Sequence, residues 1–175
     1  MKKYLVIGNP INHSLSPLIH NYWLKKYNIA ESFYDKKKIE EKDLENIVLQ
    51  MRDNRISGIN VTVPFKKSII PYLDELDLRA EKTESVNTLV KADNKIVGYN
   101  TDEPGFELTV QNFFLENDSQ YKNVFILGAG GVTNSIICAL KKFKTKITLS
   151  NRTIKKAHAL NKMHPEIKTI DWGKR

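Results

Sequence analysis

A short apolar strand that runs straight into glycines and then into a helix can fold in few ways, and Val124–Leu127, Gly128-Ala129-Gly130-Gly131 and Val132–Phe143 form such a run. Gly128 permits a tight turn, Gly130 lets the backbone come close to a ligand, and the helix amino terminus that follows turns its N–H groups toward an anion. Unliganded strand-to-helix junctions use glycines too, so the flanks decide. The next strand, Lys146–Ser150, leads into Asn151-Arg152-Thr153; a helix is predicted over Thr153–Met163 and a further strand over Ile167–Trp172. A nucleotide fold that takes NAD places a carboxylate near Asn151-Arg152-Thr153, on the ribose 2′-hydroxyl. Here a guanidinium stands between small polar side chains, with Lys156 one turn further on, and that set suits a 2′-phosphate. NADP is therefore the expected cofactor, with Gly128, Ala129, Gly130, Gly131, Val132, Asn151, Arg152, Thr153 and Lys156 as candidate contacts. Thr133 stands where the usual pattern has its third glycine.

Ahead of this unit, Lys3–Gly8 reads as a buried strand running into Gly-Asn-Pro. Ser16-Pro17 reads as a helix cap followed by proline at the first helical position, and Leu18, Ile19, Tyr22, Trp23 and Tyr27 on one face are expected to be core. Strands over Ser32–Tyr34 and Ile56–Val63 flank a helix from about Glu40 to Asp53, whose apolar stripe is Leu44, Ile47, Val48 and Met51. That alternation implies a parallel sheet with helices on both faces. Val86–Val90 and Lys95–Tyr99, joined across Asp93-Asn94, predict a hairpin. A helix from about Glu103 to Glu116 and a polar linker, Glu116–Lys122, lead into the nucleotide unit. The expected fold is α/β: an open-sheet substrate domain over 1–101, a connection over 102–122, and over 123–175 the first half of a Rossmann-type NADP-binding domain, an incomplete one because its second βαβαβ half is not in the sequence.

Composition narrows the class. An apolar fraction of 41% over 175 residues fills a globular core. The formal charge of +8 could attract nucleic acid or an anionic small molecule, but Lys36-Lys37-Lys38 and Lys141-Lys142 lack interleaved aromatics and arginine clusters. They read as solvated surface, and no nucleic-acid partner is expected. His13, His20, His158 and His164 sit at no ligand spacing with Cys138, so no metal is expected, and Cys138 reads as a buried core thiol. Tyr4–Ile7 behind Lys2-Lys3 is too short for a signal-peptide core or a membrane span, which predicts a cytoplasmic protein.

Four polar clusters interrupt the front domain: His13-Ser14-Leu15-Ser16, Asn60-Val61-Thr62-Val63-Pro64-Phe65-Lys66-Lys67, Val86-Asn87-Thr88 and Asn100-Thr101-Asp102. Ligands of open parallel sheets bind beyond the carboxyl ends of the strands, so these clusters are expected to share a crevice. Each taken singly is an ordinary cap, strand or turn. Together they gather short hydroxyl and amide groups suited to a small polyol acid.

With Gly8-Asn9-Pro10, Ser16-Pro17, Gly98-Tyr99, Gly128–Gly131 and Asn151-Arg152-Thr153 added, the set resembles the shikimate dehydrogenase family from the first strand to Arg152. The resemblance implies NADPH-dependent reduction of 3-dehydroshikimate to shikimate, in aromatic amino-acid biosynthesis. It implies Ser14 and Ser16 as contacts of the substrate carboxylate, and Thr62, Lys66, Asn87 and Asp102 as contacts of the ring hydroxyls. Lys66 and Asp102 are the implied catalytic pair, and either can carry the transferred proton. A homodimer is compatible with this reading, as is use of quinate. In the family a further carboxyl-terminal portion completes the nucleotide sheet, so a shortened chain that binds shikimate or NADP without turnover is the alternative expectation.

Overall fold

Strand β1 (Lys2–Gly8) is the spine of the first half of the chain, because its alternating side chains have apolar partners on both faces. Leu5 and Ile7 point to one side and Tyr4 and Val6 to the other. In a computed structural model that describes residues 1–116 and 123–174, the chain divides into two compact units that part between Asn100 and Thr101. Most of the linker expected over 116–122, and Arg175, lie outside the described residues.

The first unit is a six-stranded sheet in the order β2-β1-β3-β5-β6-β4. Its strands are β1, β2 (Ser32–Lys38), β3 (Gly58–Val61), β4 (Glu75–Leu76), β5 (Thr88–Ala92) and β6 (Lys95–Tyr99). The helices are α1 (Ser16–Lys26), α2 (Leu44–Arg52) and α3 (Leu78–Thr83). β1 pairs in parallel with β2 and β3, whereas β3 meets β5, and β5 meets β6, antiparallel. The sheet is thus mixed, not parallel throughout. Asp93 and Asn94 take positive φ, 47° and 63°, and reverse the chain in two residues, which sets β6 antiparallel to β5. Thr88–Ala92 already runs antiparallel to β3 before that turn, its direction set by the connection over 62–87.

One face of this sheet carries the main core, where Leu44, Ile47, Val48 and Met51 of α2 pack on Leu5, Ile7, Ile59, Val61, Leu89 and Ile96. The helix begins at Leu44, after a single 3-10 turn over Glu41–Asp43, later than the periodicity predicts. The other face departs further from expectation. Leu18, Ile19, Tyr22, Trp23 and Tyr27 are exposed, and α1 contains no buried residue. The helix instead turns Pro17, His20 and Leu24 inward, and these are half-buried. Polar bonds set this orientation: Asn21 Nδ2 donates to the Tyr34 carbonyl at 2.8 Å, and the Tyr34 N–H donates back to Asn21 Oδ1 at 2.9 Å. His20 stacks on the Tyr34 ring at 4.2 Å. Ser16 is the first helical residue and not the cap, a position held by Leu15.

The second unit contains α4 (Asp102–Glu116), β7 (Asn123–Leu127), α5 (Thr133–Lys141), β8 (Lys146–Ser150), α6 (Ile154–Met163) and β9 (Lys168–Ile170). β7, β8 and β9 form a parallel sheet in that order. Ile137, Leu140, Ile147, Leu149, Ala157 and Ile167 make its core, with Phe106 and Phe114 of α4 packed against them. Cys138 is buried.

Where β1 leaves the sheet, no side chain fits at Gly8. A Cβ there would lie 2.6 Å from Thr62 Cγ2 and 3.0 Å from the Val63 carbonyl oxygen. Gly8→Ala is expected to destabilise the chain by about 1 to 3 kcal/mol through overpacking, read as a lower urea midpoint; an unchanged midpoint would show that the two loops move apart freely.

Candidate functional site

β1 and β3 are parallel neighbours, so their carboxyl ends open on the same edge of the sheet. Two backbone bonds extend the pairing past the strands: the Thr62 N–H donates to the Ile7 carbonyl at 2.9 Å, and the Asn9 N–H donates to the Val63 carbonyl at 3.0 Å. Asn9-Pro10 and Val63-Pro64 are both cis. The result is a cavity of about 440 Å³ lined by Val6, Pro10, Ile11, His13, Ser14, Ser16, Thr62 and Val63. Residues from two of the four polar clusters therefore meet in one place. Ser14 Oγ donates to Ser16 Oγ at 3.2 Å and accepts the Ser16 N–H at 3.3 Å, which sets the two hydroxyls side by side.

The third cluster is tied to the second through the backbone. Asn87 C=O accepts the Val61 N–H at 2.9 Å, and Lys66 C=O accepts the Val86 N–H at 2.8 Å. Lys66 and Asn87 are both half-buried. Behind them Asn100 is buried, its amide donating to Thr83 Oγ1 and to the Ser85 carbonyl, each at 2.8 Å. Asn100 is thus a framework residue. Asp102 opens α4 in the second unit and is half-buried. A larger cavity of about 450 Å³ lies on the α1 side of the sheet, with Trp23, Tyr34, Asn60 and Thr88 among its lining residues; sequence reading had no signal for it.

In the second unit the glycine turn is braced by side chains. Gly128 has φ +116°, a conformation that favours glycine. Around Gly128, Gly130 and Gly131 a Cβ would meet no atom within 4 Å, so the turn has open space in front of it. Thr133 is buried, and its hydroxyl donates to the Gly128 carbonyl at 3.1 Å while accepting the Gly130 N–H at 2.9 Å. The residue at the third-glycine position thus ties the turn to α5. Asn151 Oδ1 accepts the Ala129 N–H at 2.9 Å, and its Nδ2 donates to the Thr153 carbonyl at 2.8 Å. This joins the end of β8 to the turn. Arg152, Thr153 and Lys156 are exposed and can reach a ligand on that side.

A second buried polar group was not foreseen. His164 Nε2 lies 2.6 Å from Asn134 Oδ1, and its Nδ1 lies 3.3 Å from Lys141 Nζ. Asn134 Oδ1 accepts only, so Nε2 carries the proton and Nδ1 receives the lysine N–H. Lys141 also pairs with Glu166, whose carboxyl is held below its ordinary range first by that lysine hydrogen bond. These contacts anchor α5, the helix that follows the glycine turn. Thirty residues separate His164 from Asn134, so no local pattern marks the pair. Among the described residues no group of three or more His, Cys, Asp or Glu is placed to hold a metal ion, and no helix is long and apolar enough to cross a membrane.

A mixed α/β unit with a hydroxyl-lined cavity at its strand ends, followed by a parallel βαβ unit with an open glycine turn, defines a two-part α/β protein whose second unit is Rossmann-like. Residues 6–89 match the shikimate dehydrogenase substrate binding domain. The chain is 53% identical over 173 residues to a shikimate dehydrogenase (NADP(+)) of Pelagibacter ubique, covering 98% of this chain and 64% of that protein. It is 41% identical over 167 residues to the Bacillus subtilis protein of the same name, covering 94% of this chain and 59% of that one. The crystal structure of Aquifex aeolicus shikimate dehydrogenase superposes with a TM-score of 0.87 at 36% identity, over 97% of this chain and 62% of that one. A Thermus thermophilus shikimate 5-dehydrogenase in complex with NADP(H) and shikimate gives 0.84 at 27% identity, over 97% and 63%. Over nearly its whole length the chain is similar to shikimate dehydrogenases, and over residues 6–89 to their substrate binding domain. It spans 64% and 59% of the length of these two curated relatives.

Thr133→Val keeps the shape of the buried side chain and removes the hydroxyl that bridges the turn. It is expected to cost about 0.5 to 1.5 kcal/mol, the net worth of a lost hydrogen bond whose backbone partners can turn to water, measured by denaturant unfolding of the second unit's helical signal. A cost near zero would mean that the turn holds its shape without the bridge.

Proposed function

We propose that this chain carries the substrate-binding and first nucleotide-binding parts of an NADP-dependent shikimate dehydrogenase, which interconverts 3-dehydroshikimate and shikimate in a cytoplasmic setting. The observation that carries this reading is the cavity in which Ser14, Ser16 and Thr62 converge, with Lys66 and Asn87 on the adjoining strand ends. A polyol acid presents a carboxylate and several hydroxyls, and paired serine hydroxyls with a threonine and an amide complement both. Ser14 and Ser16 are assigned to the carboxylate, and Thr62, Lys66, Asn87 and Asp102 to the ring oxygens.

The residues of the second unit fit NADP. Open space before a φ-positive glycine admits a diphosphate to the backbone, and exposed Arg152 with Thr153 and Lys156 supplies charge and hydrogen bonds for a 2′-phosphate. Gly128, Ala129, Gly130, Gly131 and Val132 are assigned to the diphosphate side, and Asn151 to the loop that carries Arg152. When bound, NADPH supplies the hydride. As the carbonyl carbon of the substrate accepts it, the C=O electron pair collects on oxygen, and Lys66 is assigned to stabilise that charge and deliver a proton to it. Asp102 is assigned, as the second member of the catalytic pair, to accept from a ring hydroxyl. In the reverse direction the same oxygen returns its proton.

In the protein carrying this sequence, Lys66→Ala is expected to lower kcat for shikimate oxidation about 10²-fold or more. An unchanged kcat would remove Lys66 from proton transfer, and no turnover by the unaltered chain despite saturable ligand binding would make it a binding protein. Arg152→Asp is expected to weaken NADPH by about tenfold or more and NADH much less, since only the former carries the 2′-phosphate. Equal losses in two fluorescence titrations would contradict the NADP assignment.

A further inference from the structure

The polar side chains on the α1 face of the first sheet form a directed chain of hydrogen bonds that ends at Asn87. Register sets Asn60 opposite Thr88, with Tyr34 two residues off that line and reaching across it. Tyr34 on β2 lies across from Tyr4 of β1, Val6 of β1 across from Asn60 of β3, and Asn60 across from Thr88 of β5. The Tyr34 ring packs on Val6 and Ile11, with Tyr4 and Leu24 beside them, and its hydroxyl reaches Asn60 Oδ1 at 2.6 Å. Asn60 Nδ2 contacts the Asn87 carbonyl at 3.2 Å and Thr88 Oγ1 at 3.0 Å. Thr88 Oγ1 in turn lies 3.1 Å from Asn87 Oδ1.

A backbone carbonyl only accepts, so the end of Asn60 that faces the Asn87 carbonyl must be its NH₂ group. Its Oδ1 then faces Tyr34, which must donate. Thr88 Oγ1, already accepting from Asn60 Nδ2, directs its own proton to the next oxygen, Asn87 Oδ1. The amide oxygen of Asn87 is thereby engaged within the sheet, and its NH₂ is the end turned away from Thr88. The Asn87 carbonyl and the Tyr34 hydroxyl hold the Asn60 amide from its two ends. The start of the chain is held as firmly as its end: Tyr34 is buried, stacked on His20, and clamped by two backbone bonds to Asn21. Burial pushes the Tyr34 hydroxyl well above its ordinary range, so it keeps the proton it donates.

We propose that Tyr34 is a positioning residue for substrate binding, acting through Asn60 and Thr88 to present Asn87 as a hydrogen-bond donor to a ring oxygen of the substrate. The proposal rests on the shikimate reading of the cavity, and deepens it by fixing the polarity with which Asn87 meets its ligand. An Asn87 amide left to rotate would present oxygen or nitrogen with similar ease, and a wrong choice leaves a substrate hydroxyl poorly matched.

The test uses Tyr34→Phe, which keeps the ring on His20 and removes only the hydroxyl, and Thr88→Val, which breaks the chain one step from its end. In the ¹⁵N-labelled chain without ligand, both variants are expected to shift the Asn87 side-chain amide pair, and Tyr34→Phe also that of Asn60. Each variant is expected to weaken shikimate about five- to tenfold, one lost hydrogen bond's worth, with NADP affinity unchanged. The double variant is expected to lose little more than either alone. Unmoved Asn87 amide signals in folded Tyr34→Phe, or losses that multiply in the double variant, would overturn the proposal. If the unaltered chain binds no shikimate, the substrate reading fails, and the ligand-free amide signals still decide whether Tyr34 orients Asn87.

Discussion

The near contact between the exits of β1 and β3 is the constraint on which the site depends. Parallel strands end side by side, but their loops ordinarily diverge at once. Here Gly8 leaves room for Thr62, and the Thr62 and Asn9 N–H groups continue the hydrogen bonding across the gap. Ser14 and Ser16, six and eight residues past the end of β1, are thereby brought to the same cavity as Thr62. Lys66 and Asn87 follow because Val61 and Val86 bond backbone to backbone with the segments that carry them. The site of the first unit is thus a property of two strand ends, supported by the apolar packing of α2 beneath them.

The two faces of the first sheet are held by different physics. Under α2 the contacts are aliphatic and close-packed, with Leu44, Met51, Ile7 and Ile69 fully buried. On the α1 face a stacked His20 and Tyr34, an amide clamp from Asn21, and the Asn60–Thr88 pair do the joining. Hydrogen bonds of this kind are directional, and a chain of them specifies the orientation of each member more narrowly than apolar contact does. The second unit uses the same device at smaller scale, where Thr133 and Asn151 brace the glycine turn and His164 with Asn134 anchors the helix behind it.

Much of this was legible in the sequence where local chemistry decides. The glycine turn between β7 and α5, the apolar stripe of α2 and the hairpin at Asp93-Asn94 each carry their own signal, and each forms where it is read. Errors arise where packing is chosen by partners distant in sequence. The large apolar stripe of α1 suggests a buried face, yet Asn21 and His20 find Tyr34 and turn that stripe outward. β4 is two residues long and α3 six, too short for periodicity to detect. The four polar clusters are visible as clusters, Asn60 and Thr88 among them, but the support behind them is not: Tyr34 looks like a strand residue until the fold brings its hydroxyl to Asn60. Thr133 looked like a defect in a glycine pattern, whereas its hydroxyl stitches that turn together.

The central claim is that the strand-end cavity holding Ser14, Ser16 and Thr62 is a binding site for shikimate. Titration of the ¹⁵N-labelled chain with shikimate, following backbone amide shifts, tests it most directly. Saturable shifts gathered at Ser14, Ser16, Thr62 and Asn87 are the predicted result. The absence of saturable shifts, or their confinement to residues of the other cavity such as Trp23 and Val90, would contradict it.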